Sequence, residues 1–259
     1  METGTLYVVA TPIGNLADIS RRAIDVLSQV DVIAAEDTRV TQKLLTALAI
    51  KTRLISVREH NEAREAERII DWLREGKSVA QVSDAGTPSV SDPGAVLVDV
   101  VRQAGLKVVP IPGANAAVAA LSASGFTQAQ FLFYGFLPPK SGQRKSALEA
   151  LREQVATLAF YEAPHRIVEC VDDLLTVFGP ERQIVLAREL TKTFEQIHRC
   201  SLADAPAWLA ADSNHQRGEF VLLLAGAPEA AAEEEIPAEA LRVLTILLKP
   251  VLPALAAQV

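Results

Sequence analysis

The feature that most constrains this chain is a rhythm in its first half. Between residues 5 and 122, short apolar runs rich in β-branched side chains alternate with stretches of helical period. Residues 5–10, 31–35, 53–57, 78–82 and 107–111 read as strands. Residues 19–30 carry Ile19, Ala23, Val26, Leu27 and Val30 on one helical face, and residues 62–74 carry Ile69, Ile70 and Leu73 on another. Residues 95–103 and the alanine-rich 114–122 read as two more helices. Such alternation implies βαβ units and a mostly parallel sheet, because parallel neighbours need a crossover. Near residues 122–127 the rhythm changes. Strands are expected at 130–137, 156–161, 183–188, 194–200 and 220–224, two of them close together in sequence, which favours antiparallel pairs. The expectation is an α/β fold of two α/β domains, 1–122 with a parallel sheet and 123–226 with a mixed one. An Ala/Glu/Pro linker and a helical tail broken near Pro250 and Pro253 follow over 227–259. The chain stops without a cap or a polar tail, so a missing extension and a frayed natural end both stay open.

Composition narrows the class. At 259 residues, 49% of them apolar, the chain can bury a large core without covalent staples. Its two cysteines, Cys170 and Cys200, sit in unrelated contexts, with neither metal-ligand spacing nor a disulfide framework. No His/Cys/carboxylate set suggests a metal. The first residues lack a basic stretch leading into a long apolar one, and no apolar run is long enough for a membrane. The expected setting is a reducing cytosol. A net charge of −7 argues against a generic nucleic-acid binder, so any RNA binding must come from local clustering of basic groups.

Three loops at expected strand ends carry the chemistry. They are Thr11-Pro12-Ile13-Gly14-Asn15-Leu16, the long loop 83–94 (Ser83-Asp84-Ala85-Gly86-Thr87-Pro88 and onward to Asp92-Pro93-Gly94), and Pro112-Gly113-Ala114-Asn115-Ala116. In open parallel sheets, ligands bind outside the carboxyl ends of the strands. Glycine permits close backbone approach and proline fixes loop shape, so these loops suit an adenine and an amino-acid moiety. Pro12, Ile13, Gly14, Asp84, Gly86, Thr87, Pro112, Gly113, Asn115 and Ala116 are the candidate cofactor contacts. Asp84 can pair with an ammonium group, and a helix N-terminus can hold a carboxylate. Each loop alone can be a mere tight turn; three in one register are harder to dismiss. None is a Walker loop or a G-x-G-x-x-G.

The loops together with Glu36-Asp37-Thr38-Arg39, Phe133-Tyr134-Gly135-Phe136-Leu137-Pro138, Tyr161-Glu162-Ala163-Pro164-His165-Arg166 and Arg188-Glu189-Leu190-Thr191-Lys192 resemble the tetrapyrrole methylase superfamily. The likeness is to its branch that methylates ribose 2′-hydroxyls of bacterial 16S ribosomal RNA, and it runs from about Gly4 to Ala225. The resemblance implies a two-domain α/β enzyme with S-adenosylmethionine in the cleft between the domains. It also implies a 2′-O-methylated cytidine in the decoding region of 16S RNA, the 30S subunit as partner, and a homodimer. It adds Glu162 and Glu219 to the cofactor contacts. Relatives acting on corrinoids carry a glycine-rich first loop with an acidic residue, where this chain has Pro12-Ile13-Gly14-Asn15, which favours the RNA branch.

Methyl transfer from a sulfonium is a direct displacement, so the protein supplies positioning, electrostatics and a proton acceptor for the hydroxyl. Asp37 is the candidate acceptor, with Arg39 holding a phosphate; the alternative is a helix cap beside a solvated charge. His60 is a second candidate, against a structural histidine. Candidate RNA contacts are Arg21, Arg39, Lys140, Arg144, Lys145, His165, Arg166, Arg188 and Lys192. Of these, Lys140 to Lys145 read as a basic loop able to clamp RNA, or as an ordinary surface loop. Arg22 is basic as well, and His198 and His215 read as structural. Phe133, Tyr134 and Phe136 can stack on a base, though alternation favours the core for Phe133 or Phe136. Two other functions stay open: a corrinoid methyltransferase, and a non-catalytic S-adenosylmethionine-binding factor in ribosome assembly.

Overall fold

A computed structural model of the chain describes residues 3–58 and 61–228. His60 and almost all of the expected linker and tail lie outside these residues. Ten strands form two five-stranded sheets. The first contains β1 (Thr5–Val9), β2 (Val32–Ala35), β3 (Arg53–Ser56), β4 (Val79–Val82) and β5 (Lys107–Ile111), all parallel, in the order β3-β2-β4-β1-β5. Every strand begins within a residue of its expected start, because a strand buried on both faces reads as an unbroken apolar run.

Helices cover both faces of this sheet. On one, α1 (Arg21–Gln29) and α2 (Thr38–Ala47) bury Ala23, Leu27 and Leu45 against Val9, Ile33 and Ile111. On the other, α3 (Glu62–Arg74) and α4 (Ala95–Gln103) bury Ile69, Leu73 and Leu97 against Leu6, Ala34 and Val79. Ser20 caps α1 by accepting from the Ala23 N–H at 3.1 Å, and Asp37 caps α2 by accepting from the Arg39 N–H at 2.8 Å.

The second sheet has the order β6-β7-β10-β8-β9. β6 (Phe131–Phe136) and β7 (Thr157–Glu162) are parallel, joined through α6 (Ser141–Glu149); β10 (Phe220–Leu224), β8 (Gln183–Arg188) and β9 (Gln196–Ser201) pair antiparallel. α7 (Ile167–Phe178) and α8 (Ala205–Ala211) close one face around Phe160, Leu186 and Leu222. The other face is covered by α5 (Ala116–Ala123), whose Ala120 packs with Ala159, Val185, Ala187 and Val221. The sequence pattern assigned this helix to the first half. In the fold it serves the second sheet, because its small alanines let the helix lie close on strands β7 and β10.

One irregularity matters below. Between Phe133 and Gly135 the β6–β7 register shifts, leaving Tyr134 as an extra residue. Such a bulge re-aims the side chains beyond it.

Candidate active site

The three loops meet because they leave the carboxyl ends of three neighbouring strands, β4, β1 and β5. Two backbone hydrogen bonds join the first two loops: the Thr11 N–H donates to the Gly86 carbonyl at 2.8 Å, and the Gly86 N–H returns to Thr11 at 3.1 Å. Gly86 has a φ of +81°, which a residue with a side chain adopts only with strain. The Thr87 hydroxyl donates to the Ala114 carbonyl at 3.1 Å and ties in the third loop. Asn115 caps α5 by accepting from the Val118 N–H at 3.1 Å.

These loops form one wall of a cavity of about 320 Å³, within the roughly 300–1,000 Å³ of small-molecule sites. Ile13, Gly86, Thr87, Asn115 and Ala116 line that wall. The opposite wall comes from the second sheet: Tyr161 and Glu162 at the end of β7, Leu190 and Lys192 after β8, and Glu219 to Val221 entering β10. Pro12, Gly14, Asp84, Pro112 and Gly113 are not among the lining residues. Gly113 lies against Ala10 and Gly14 against Lys192, with no room for a side chain at either.

Asp84 braces the site from outside. Its Oδ1 accepts from the Asp37 N–H at 3.0 Å, and its own N–H donates to Glu36 at 3.4 Å. Asp37 is the cap of α2, and both of its oxygens also accept from the Arg39 guanidinium, at 2.5 to 3.2 Å. Those side-chain bonds, with the Arg39 backbone bond, hold the Asp37 carboxyl far below the usual carboxylate range. Neither Asp37 nor Arg39 borders the cavity. The cap role expected as the alternative is the one the geometry gives.

Asp92, which the sequence reading passed over, does line the cavity. Burial pushes its carboxyl above the ordinary range; a hydrogen bond from Ser83 opposes this and the nearby charge of Asp84 adds to it. The backbone around it is strained: Ser89 and Ser91 have φ of +68° and +63°, and Gly94 has +123°. Strain of this kind persists where the surroundings hold a segment in place. Tyr161 faces the same space, and its hydroxyl accepts from the Ala117 N–H at 3.3 Å. Glu162 is buried; its Oε1 accepts from the Ala163 N–H at 2.8 Å and pairs with Arg166 at 3.2 Å, while Oε2 has no hydrogen-bond partner. Among the described residues, no three His, Cys, Asp or Glu side chains gather as a metal-ligand set.

The chain matches the family of Tetrapyrrole (Corrin/Porphyrin) Methylases over residues 5–206. It belongs to the tetrapyrrole methylase family. A curated relative from Pseudomonas aeruginosa, named "Ribosomal RNA small subunit methyltransferase I", is 54% identical over 96% of this chain and 88% of its own length. Among solved tetrapyrrole methylases, a uroporphyrin-III-C-methyltransferase from Thermus thermophilus superposes with a TM-score of 0.61 at 26% identity, over 86% of this chain and 94% of that one. A second Thermus thermophilus structure, complexed with S-adenyl homocysteine, shares the fold with a TM-score of 0.60 at 17% identity, over 86% and 97%.

In this tetrapyrrole methylase the expected basic residues divide. Arg21, Lys140 and His165 are exposed, and Arg39 is exposed but bound to Asp37. Of the clamp expected at Lys140 to Lys145, Arg144 is corrected by the structure: the segment is the start of α6, and Arg144 is completely buried, its Nε 2.6 Å from Asp173. Lys145 lies 3.3 Å from the same carboxylate. Arg188 is buried as well, and donates from Nε to the Arg217 carbonyl and from Nη1 to the Phe194 carbonyl and Gln196. Arg166 pairs with Glu162 and donates to the Leu137 carbonyl at 2.7 Å. Lys192 sits between Glu189 at 2.8 Å and Glu219 at 2.7 Å, on a turn where Glu189 and Thr191 both have positive φ. Arg144, Arg166, Arg188 and Lys192 are internal ties. His198 and His215 stack on the two faces of Trp208, with ring centroids 4.5 and 4.0 Å away.

Proposed function

We propose that this chain transfers a methyl group from S-adenosylmethionine to the 2′-hydroxyl of a cytidine in small-subunit ribosomal RNA. The observation that carries the reading is the cavity itself. It is built from loops at the strand ends, in a chain 54% identical to a ribosomal RNA small subunit methyltransferase over almost its whole length. The residues present fit the donor. Ile13, Ala116, Leu190 and Val221 give apolar walls for a purine, and Thr87 and Asn115 give polar ones. When bound, S-adenosylmethionine supplies a methyl group activated by its sulfonium.

The protein's share of the chemistry is orientation and proton transfer. The bridged loops are rigid, so little order is lost on binding. A ribose hydroxyl reacts once its proton has somewhere to go. Asp92 is a cavity carboxylate whose proton affinity burial has raised, which suits it as acceptor. Asp84 and Glu36 act behind it by fixing the loop. The same reading takes the enzyme to act in the cytosol on the 30S subunit and as a homodimer, in line with the branch it resembles. Among the described residues no helix is long and apolar enough to cross a membrane.

The test is methyl transfer from labelled S-adenosylmethionine to 30S particles from cells lacking this protein, with the product mapped by mass spectrometry. A ribose methyl on a cytidine of the small-subunit RNA is expected. Transfer to a uroporphyrin-type ring instead, or cofactor binding without any transfer, would overturn the reading.

A further inference from the structure

Phe136 is a large aromatic side chain left 54% exposed at the edge of the cavity. Its position is built rather than accidental. Phe133 and Phe136 are three residues apart, which on a regular strand puts them on opposite faces. The extra residue at Tyr134 cancels that alternation, so Phe133 pairs with Ala159 and Phe136 with Tyr161 on one face. Both phenyl rings then stand edge-on to Tyr161, at 4.9 Å and 65° for Phe133 and 5.7 Å and 67° for Phe136. Tyr161 is anchored in turn by the Ala117 N–H. Gly135 makes the bulge possible: its φ is +83°, and a side chain there would run into the hydroxyl of Ser91, the residue just before Asp92.

We propose that the exposed ring of Phe136, propped on Tyr161 at the mouth of the cavity, is the platform on which the base of the methylated nucleotide stacks. Aromatic side chains take single-stranded bases by stacking, largely without regard to sequence. Stacking holds the nucleotide by its base and leaves its ribose free to turn inward, toward Asp92. Phe136 is thus a substrate-positioning residue, and the inference rests on the RNA reading above.

The experiment compares wild type with Phe136→Leu and Phe136→Tyr, measuring kcat and KM with unmethylated 30S particles, S-adenosylhomocysteine affinity by calorimetry, and Tm. Leucine keeps an apolar side chain and loses the π-face. The expected result is a fall in kcat/KM of about 5- to 100-fold for Phe136→Leu, carried mainly by KM, with Phe136→Tyr near wild type. Cofactor affinity and Tm stay unchanged. A leucine variant as active as wild type overturns the proposal, and so does a loss of cofactor affinity, which would place the ring against the donor. Those outcomes leave the RNA reading intact. A wild-type enzyme inactive on 30S removes that reading and the platform with it.

Discussion

Replacing Arg144 by Met tests whether this arginine holds the protein together or holds RNA. Its side chain is fully buried, with Nε 2.6 Å from Asp173 Oδ2 and Nη1 3.3 Å from the Pro139 carbonyl. Methionine leaves Asp173 buried with two weaker partners, the Ser141 hydroxyl at 2.9 Å and the Lys145 ammonium at 3.3 Å. Breaking a buried pair from one side costs about 3–5 kcal/mol, and the two remaining partners put the loss near the lower end. At about 2–4 °C per kcal/mol for a chain of this size, the expected fall in Tm is about 6–12 °C. The pH dependence has a definite sign. Burial raises the Asp173 carboxyl, but hydrogen bonds from Arg144, Ser141 and Lys145 outweigh it and hold the folded value below the ordinary one. A depressed carboxylate contributes stability above its unfolded pKa, near 4, and loses it as pH falls through the folded value. The gap between wild type and variant is therefore full at neutral pH and closes in acid. Adding Asp173→Leu should recover much of the loss, since an apolar pair of similar volume often replaces a buried ion pair without cost. Calorimetric melts across pH, together with RNA affinity at several salt concentrations, decide the matter. An unchanged Tm with a salt slope shallower by about one unit would instead be the mark of a lost phosphate contact, and would refute the buried-pair account.

Asp92→Asn removes the proposed proton acceptor and should lower the single-turnover rate by about 10²- to 10⁴-fold. In wild type that rate should climb with pH through a pKa above the ordinary carboxylate range, because only the ionised form accepts a proton; a loss under tenfold would exclude the role. Gly135→Ala forces a side chain into a left-handed backbone at a cost of about 1–2 kcal/mol and against Ser91. It should lower Tm and activity together, and a variant with wild-type kinetics would show that the bulge does not place Phe136. Asp37→Ser keeps a capping oxygen for α2 while deleting the carboxylate. Its methyl transfer should stay within a few-fold of wild type, whereas a collapse of kcat with an intact fold would return Asp37 to the catalytic centre.

The first sheet was legible because each of its strands is a short apolar run closed by a turn signal. The three loops were legible because Gly86 and Pro112-Gly113 mark strand ends in sequence alone. The proposed proton acceptor was not. Asp37 and Asp92 are both acidic residues in loop-like contexts, and what separates them is position: Asp37 caps α2 against the exposed guanidinium of Arg39, while Asp92 lines the cavity. Nothing in a single sequence reports that difference. Phe136 was one of three stacking candidates, and its exposure was not legible for a related reason. Strand alternation ranks it as core, and the bulge that turns it outward depends on the Tyr134–Gly135 step meeting Ser91 from a loop more than forty residues earlier.

The basic residues raise the same difficulty in a form that bears on recognition. A count of Arg and Lys near the site suggested a cationic surface, yet Arg144, Arg166, Arg188 and Lys192 spend their donors on Asp173, Glu162, main-chain carbonyls and the Glu189–Glu219 pair. Each is a tie between segments of the second half, and three of the four brace elements that border the cavity. Arg166 links Glu162 to the end of β6, Lys192 links the turn after β8 to the start of β10, and Arg188 fixes the start of that turn. With these four side chains committed inward and a net charge of −7, they add little to affinity built on counterion release. The exposed Arg21, Lys140 and His165 remain for phosphates, and the proposed stacking on Phe136 at the cavity mouth would add a contact that does not depend on net charge.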